Sequence, residues 1–320
     1  MSITFGPLYD LSKGRNLITP GGRRMGFKRD RFTKRPSASR LVRTIGSSTY
    51  PLQFCHDRTV VGLTFNQLTG SCVTHSGAKA QKVSIATKAK TGAGPTLNWA
   101  DISPRQSYNQ TLDLERGLAT PVGQTLPPLA DTGLYPNDYV HSLGLYGIDP
   151  IGKYAPCPSP DGSYTDSTPQ NLVELTLEEE ESMGMQLDPG AYDLSMAASE
   201  YEAETFRVTA SGLGCCSYIF VDTAFENWDP ASGPIRTIDL SDPAGGGHAL
   251  FVEYYYRTAA GLWVVGFLNS WSDAWPAVPA DDVVPNSPFY KPGRVEVLST
   301  AVVTYGSQSI AFDTTLQEAA

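Results

Sequence analysis

An α+β fold is what this chain predicts, on three observations. Its 320 residues, 41% hydrophobic and 18% charged, hold enough apolar material for a large core. Its 30 Gly and 24 Pro call for many turns and irregular connections. Its texture also changes along its length: helical patterns come first, and from Gly214 onward short β-rich runs alternate with Gly, Pro and Asp turns.

The elements follow in order. Residues 1 to about 45 keep no period of 3.6 or 2 and read as an extended arm. The run "TVVGLTF", Thr59 to Phe65, is strand-like, and "NQLTGS" leads from it into "CVTHSGAKAQKVSIATK". There Val73, Ser76, Ala80, Val83 and Thr87 share one helical face of small residues, which predicts close packing on that side. Cys72 therefore sits at a helix N-terminus. A second helix is expected in "DTGLYPNDYVHSLGLYG", with Asn137 as its cap and Asp138, Tyr139, Leu143 and Tyr146 along it. "PCPSPDGSYTDSTPQ" reads as a surface loop, "ELTLEEEESM" as a solvated helix face, and "YDLSMAASEYEAETFRV" as a further helix. "CCSYIFVD", "HALFVEYYY", "LWVVGFLN", "RVEVL" and "AVVTY" read as strands. No internal repeat is present.

Composition narrows the function classes. No run of 18 apolar residues occurs, and the N-terminus lacks the charged-then-apolar order of a secretory signal, so neither a membrane nor secretion is expected. Five irregularly placed cysteines suit a reducing, cytoplasmic setting, or a virion assembled in one, rather than a disulfide scaffold. Residues 1–43 hold eleven Lys and Arg against Asp10 and Asp30, a formal +9, which leaves −18 for the rest of a chain whose total is −9. The basic arm is thus expected to contact a protein partner or the chain's own acidic body. Nucleic acid is not the expected partner, because the arm offers few aromatics to stack on bases.

The residues with chemical promise begin at Cys72, since a helix N-terminus favours a thiolate over a thiol. A thiolate nucleophile needs a base and a residue to orient that base. Of the four histidines, His248 opens a β-run behind three glycines, which suggests a sharp turn and a ring projecting into a cleft. Twenty-one residues on, "GFLNSWSDAW" ends the adjoining strand with Asn269, and Trp271 is placed to shield an Asn–His hydrogen bond. Other candidates have plainer readings. His75, three residues after Cys72, points away from the helix tip. Cys55-His56 has no second pair nearby to complete a metal site. Cys215 and Cys216 face opposite sides of a strand as packing residues. Asp222 and Glu226 are candidates to line a specificity pocket, with a solvated surface as the plainer reading.

Cys72 in "GSCVTHSGA", His248 in "GGGHALFV" and Asn269 in "LNSWSDAW" resemble the three signature blocks of papain-like cysteine peptidases, in that family's order. The separations from Cys72, 176 and 197 residues, exceed the usual spacing, and the excess matches a segment over 157–190 read as an insertion. "DTGLYPNDYVHSLGLYGI" and "ASGLGCCSYIFVDTAFENW" extend the likeness to about residues 52–300. The resemblance implies a two-subdomain fold, a helical left domain and a β-barrel right domain with the active site between them. It divides the chain into the arm, 1–45; a helix-rich part, 46–210, carrying Cys72; and a β-rich part, 211–320, carrying His248 and Asn269. It implies a Cys72 nucleophile, a His248 base held by Asn269, peptide or protein substrates, and neither metal nor organic cofactor. Ser71, Gly247 and Trp271 are the supporting residues it suggests.

Four departures stand out. The family's oxyanion glutamine lies six residues before the cysteine, where this chain has Asn66; Gln67 lies five before and is the expected donor, with Asn66 the alternative. Val73 replaces an aromatic, Thr69 a disulfide cysteine, and Ser272 a glycine. Two other functions stay open: a structural or virion protein that keeps the fold with little or no activity, and a Cys-His amidase acting on cell-wall peptides.

Overall fold

A computed structural model of the chain describes residues 35, 37, 40–42, 49–62, 64–67, 69–97, 101–120, 124–149, 190–276 and 287–315, with backbone alone at 17–18, 24–25, 164–166, 187–189 and 316. The acidic run and most of the expected insertion lie outside the described residues. Short strands β1 (Leu17–Ile18) and β2 (Arg24–Met25) pair antiparallel. At the end of the basic segment, Arg35 Nε donates to Asp193 Oδ1 at 2.9 Å, Arg35 N donates to Asp193 Oδ2, and Leu41 and Val42 are buried.

After β3 (Gln53–Cys55), the run expected to be a strand over 59–65 begins instead as a short helix, α1 (Arg58–Val61), followed by β4 (Phe65–Gln67), which pairs parallel with β5 (Tyr164–Asp166). Asp57 Oδ1 accepts from Thr59 N and caps the helix. Gly62, at φ 79°, ends it in the left-handed region that glycine enters without strain. Local capping outweighs the β-branched composition here.

Helix α2 (Cys72–Lys90) crosses the middle of the molecule, buried on all sides from Cys72 to Ile85. Its small residues permit that position. A Cβ on Gly77 would lie 2.2 Å from the Tyr139 ring, and one on Gly214 would lie 2.3 Å from the Ala80 backbone. Helix α3 (Pro104–Ala119) was not anticipated, because its buried face includes Arg105, Gln106, Asn109 and Gln110. Helix α4 (Pro136–Tyr146) forms where expected, but Pro136 stands in its first turn after Tyr135. Asn137 therefore lies inside the helix rather than capping it, and its Oδ1 accepts from Arg35.

The second layer is an antiparallel sheet of seven strands: β3, β6 (Leu187–Asp193), β7 (Gly214–Val221), β8 (Gly246–Arg257), β9 (Trp263–Leu268), β10 (Arg294–Leu298) and β11 (Gly306–Leu316). The order is β10-β9-β8-β7-β11-β6, with β3 on the end of β8. The expected β-barrel is not formed: among the described residues β10 and β6 are edges that do not pair. The reason lies in the strand alternation. Ala249, Phe251, Cys216 and Tyr218 face α2, whereas Leu250, Val252, Cys215 and Ile219 face Tyr201 and Phe206 of α5 (Ala198–Ala210) and Ala301 and Val302 of α7 (Ser299–Tyr305). A sheet covered by helices on both faces needs no closed interior of its own.

Cys215 and Cys216 thus sit on opposite faces as packing residues, as the sequence suggested. The run "AVVTY", expected as a strand, is α7, a turn of helix joining β10 to β11, where burying Ala301 and Val302 outweighs β-propensity. No helix among the described residues is long and apolar enough to cross a membrane.

Candidate active site

The loop before α2 is fixed at several points. Gln67 Nε2 donates to Thr69 O at 2.8 Å, and Thr69 Oγ1 donates to Ser71 Oγ at 2.9 Å. Gly70 N donates to Asp131 Oδ1 at 2.7 Å, and the Tyr108 hydroxyl donates to the same oxygen at 2.6 Å. Cys72 then opens α2 with Ser71 as N-cap, so the sulfur belongs to the first turn of a 19-residue helix, at the positive end of its dipole. Its side chain is fully buried, as is that of His248.

His248 stands in β8 opposite Ile219 of β7. Gly246 and Gly247 are extended strand residues paired with Val221 and Phe220, and the turn comes earlier, closed by Gly245 N donating to Asp242 O. The sharp turn expected over the three glycines thus ends at Gly245, spanning 242–245, and Gly246 and Gly247 serve as strand backbone. The ring of His248 is held on two sides. Nε2 lies 2.8 Å from Asn269 Oδ1, and the Trp271 ring stacks over the imidazole with centroids 4.7 Å apart and planes 22° from parallel.

The tautomer follows from a third contact. Ser270 N donates to Asn269 Oδ1 at 2.7 Å, so the atom shared by backbone N–H and imidazole is the amide oxygen. His248 Nε2 therefore carries a proton, which leaves Nδ1 as the nitrogen for proton exchange on the other edge of the ring.

Strand β4 is tied to the same segment. Gln67 N donates to Ser270 O at 2.6 Å, Ser272 N donates to Phe65 O at 2.8 Å, and Asn66 and Trp271 form an antiparallel bridge. Alternation along β4 buries Phe65 and Gln67 and leaves Asn66 half-buried on the opposite side. Ser270 Oγ donates to Gln67 Oε1 at 2.5 Å. Ser272, the replacement for a glycine, adopts φ 67°, the left-handed region in which a side chain is strained.

Beneath Asn269 lies a cavity of about 10 Å³, room for one water, lined by His75, Ser76, Lys79, Asn269 and Ser270 among others. His75 Nδ1 donates to Ser71 O at 2.9 Å, its own helix's backbone, and burial pushes its pKa down to about 3. Lys79 pairs with Asp101 at 2.7 Å and sits 3.7 Å over the Phe65 ring; burial lowers its pKa to about 8.

At Cys55 and His56, Cys55 Sγ donates to His56 O, His56 stacks on Phe251, and burial lowers that imidazole's pKa to about 4. Among the described residues no three His, Cys, Asp or Glu side chains cluster as metal ligands would. Asp222 and Glu226 are buried rather than solvated. Asp222 accepts from Phe225 N, capping the short helix α6 (Thr223–Glu226), and from Asp239 N. The contributions missing from the sequence reading are Ser270, Asp131 and the Lys79–Asp101 pair. The Asn-Ser-Trp motif itself was the signal for Ser270, whereas isolated Asp and Lys residues carried none.

No protein-family model matches the sequence, and no curated protein does. Solved structures do match. Xylellain, a cysteine protease from Xylella fastidiosa, superposes with a TM-score of 0.59 at 14% identity over 95% of this chain and 98% of its own. The fold is that of the papain-like cysteine proteases. Procathepsin B from Trypanosoma congolense matches with the same TM-score and identity over 97% of this chain and 89% of its own. Procathepsin L2 from the larval midgut of Tenebrio molitor gives 0.52 at 17% identity, over 89% of this chain and 74% of its own. Identities this low carry the fold alone.

Proposed function

We propose that the chain is a papain-like cysteine endopeptidase with Cys72 as nucleophile, His248 as acid and base, and Asn269 as the residue that orients the imidazole. The observation that carries the reading is the 2.8 Å contact of His248 Nε2 with Asn269 Oδ1 under the Trp271 ring, in a chain whose Cys72 opens a helix packed on the same strand. In this scheme the Cys72 proton resides on His248 Nδ1 and the thiolate attacks the peptide carbonyl carbon. Negative charge moves to the carbonyl oxygen, which the Cys72 N–H and the Gln67 side-chain amide stabilise. The imidazolium gives its proton to the leaving amine as the C–N bond breaks. Water, deprotonated by the same imidazole, then hydrolyses the thioester. Gln67 is preferred to Asn66 as donor because its side chain lies on the buried side of β4, bonded into the loop that ends at Cys72.

The test is thiol-dependent cleavage of an unselective peptide library by the wild type and by Cys72→Ala. Activity in the wild type and none in the variant supports the scheme; activity that survives Cys72→Ala refutes it. A second reading, a protein that keeps this fold for interaction without turnover, is favoured by one observation: the Cys72 and His248 side chains expose no surface. No cleavage by the wild type, with slow alkylation of Cys72, would establish that reading instead.

A further inference from the structure

We propose that the cavity beneath Asn269 binds one ordered water, which joins Asn269 Nδ2 to His75 Nε2 and makes His75 a positioning residue for the imidazole support. One side of this site is the Asn269 amide. Its oxygen accepts from Ser270 N at 2.7 Å and lies 2.8 Å from His248 Nε2, so its nitrogen is turned away from both. That nitrogen belongs to a residue only 1% exposed and has no hydrogen-bond partner among the described residues. A carboxamide nitrogen carries two donor hydrogens, and a buried donor is seldom left unmet. The cavity of about 10 Å³ that Asn269 lines has the size of a single water.

His75 forms the other side, lining the same cavity from the first turn of α2. Its Nδ1 donates to Ser71 O at 2.9 Å, and its ring meets Phe65 edge-on with centroids 5.1 Å apart. These contacts fix the ring and place the proton on Nδ1, which makes Nε2 an acceptor. Burial, which lowers the His75 pKa to about 3, keeps it one at neutral and mildly acidic pH. An amide donor and an imidazole acceptor that border one water-sized space are matched by a molecule that accepts from the first and donates to the second. Ser76 adds a further polar group to the lining: its Oγ donates to Cys72 O at 2.9 Å and keeps lone pairs for a water hydrogen.

The bridge ties the amide that orients His248 to the helix that carries Cys72. It runs from Asn269 through the water to His75, and from His75 Nδ1 to the carbonyl of Ser71, the residue before the proposed nucleophile. The amide is then held at both ends, its oxygen by the sheet side and its nitrogen by α2. The kinetic consequence rests on the peptidase reading above; the water site does not.

The test compares the wild type with His75→Phe, which keeps a ring but removes the acceptor, and with His75→Gln, whose side-chain oxygen reaches the place of Nε2. A high-resolution crystal structure of the wild type is expected to show one water within hydrogen-bonding distance of both Asn269 Nδ2 and His75 Nε2. For His75→Phe, kcat/KM on a fluorogenic peptide amide falls about 2- to 10-fold, the worth of one buried hydrogen bond. The acid limb of Cys72 alkylation by iodoacetamide moves to higher pH in the same variant, because the imidazolium is held less firmly; loss of stability alone would not move it. His75→Gln keeps both readouts near the wild type.

A dry cavity in the wild type, or a water that reaches only one of the two residues, would overturn the site. No change in His75→Phe, or equal losses in His75→Phe and His75→Gln, would overturn the positioning role. Should the wild type cleave no peptide, the peptidase reading fails on its own, and the wild-type crystal structure still decides the water.

Discussion

On the sheet side of the site, His248, Asn269 and Ser270 are aimed by hydrogen bonds and by the Trp271 ring, whereas on the helix side Cys72 is placed by packing and by ions buried further along α2. The sheet side specifies direction: each contact fixes a tautomer or an amide sense. The helix side specifies position. Gly77 admits Tyr139, Gly214 admits Ala80, and Asp101 receives Lys79 at 2.7 Å and Lys82 at 3.7 Å with almost no solvent around them. Under the proposed function, the nucleophile needs to be in the right place, while the base and the oxyanion donor need to point the right way.

This contrast is broken most severely at Asp101. Asp101→Asn leaves two lysines on a buried helix face without their carboxylate, and a loss of about 3–5 kcal/mol is expected from chemical denaturation at pH 7. A loss below about 1 kcal/mol would mean that the ions do not hold α2. A smaller effect is expected from acid. The unfolded chain binds protons at His75 and His56 near pH 6.5, but burial holds the folded values at about 3 and about 4. Protonation between those limits therefore favours unfolding, and stability that is present above 6.5 is lost as pH falls. By pH 5 each buried imidazole costs about 2 kcal/mol, and His75→Gln should flatten the slope of stability against pH between 6.5 and 4. The smallest effect belongs to the sheet side. Ser272→Gly relieves a left-handed serine and should stabilise by about 0.5 kcal/mol, read as a small rise in Tm; a fall would show that the side-chain contact from Ala274 N to Ser272 Oγ outweighs the strain.

The two sides also differed in how far the sequence disclosed them. Cys72, His248, Asn269 and Trp271 were legible because helix onset, strand onset and the Asn-Ser-Trp run are local patterns, and the fold class followed from the shift in texture at Gly214. What escaped was set by burial and capping rather than by an apolar pattern. Helix α3 was missed because a helix that buries Arg105, Gln106, Asn109 and Gln110 has no apolar stripe to detect. Runs such as "TVVGLTF" and "AVVTY" were misread because a capping aspartate and a packing contact decided their conformation over β-propensity. The barrel expected by resemblance became an open sheet because α5 and α7 cover the face that closure would have enclosed.

The central claim is that Cys72 is an activated thiolate facing His248, and the protein supplies its own control. Cys55 is half-buried, and burial raises its thiol to about 11, while Cys215 is raised to about 12. The direct measurement is the rate of iodoacetamide alkylation at each cysteine from pH 5 to 9, by mass spectrometry, in the wild type and in His248→Ala. Alkylation at Cys72 ahead of every other thiol at pH 5 to 6, lost in His248→Ala, is the predicted result. Modification of Cys72 no faster than Cys55 across the range, or unaffected by His248→Ala, would contradict it.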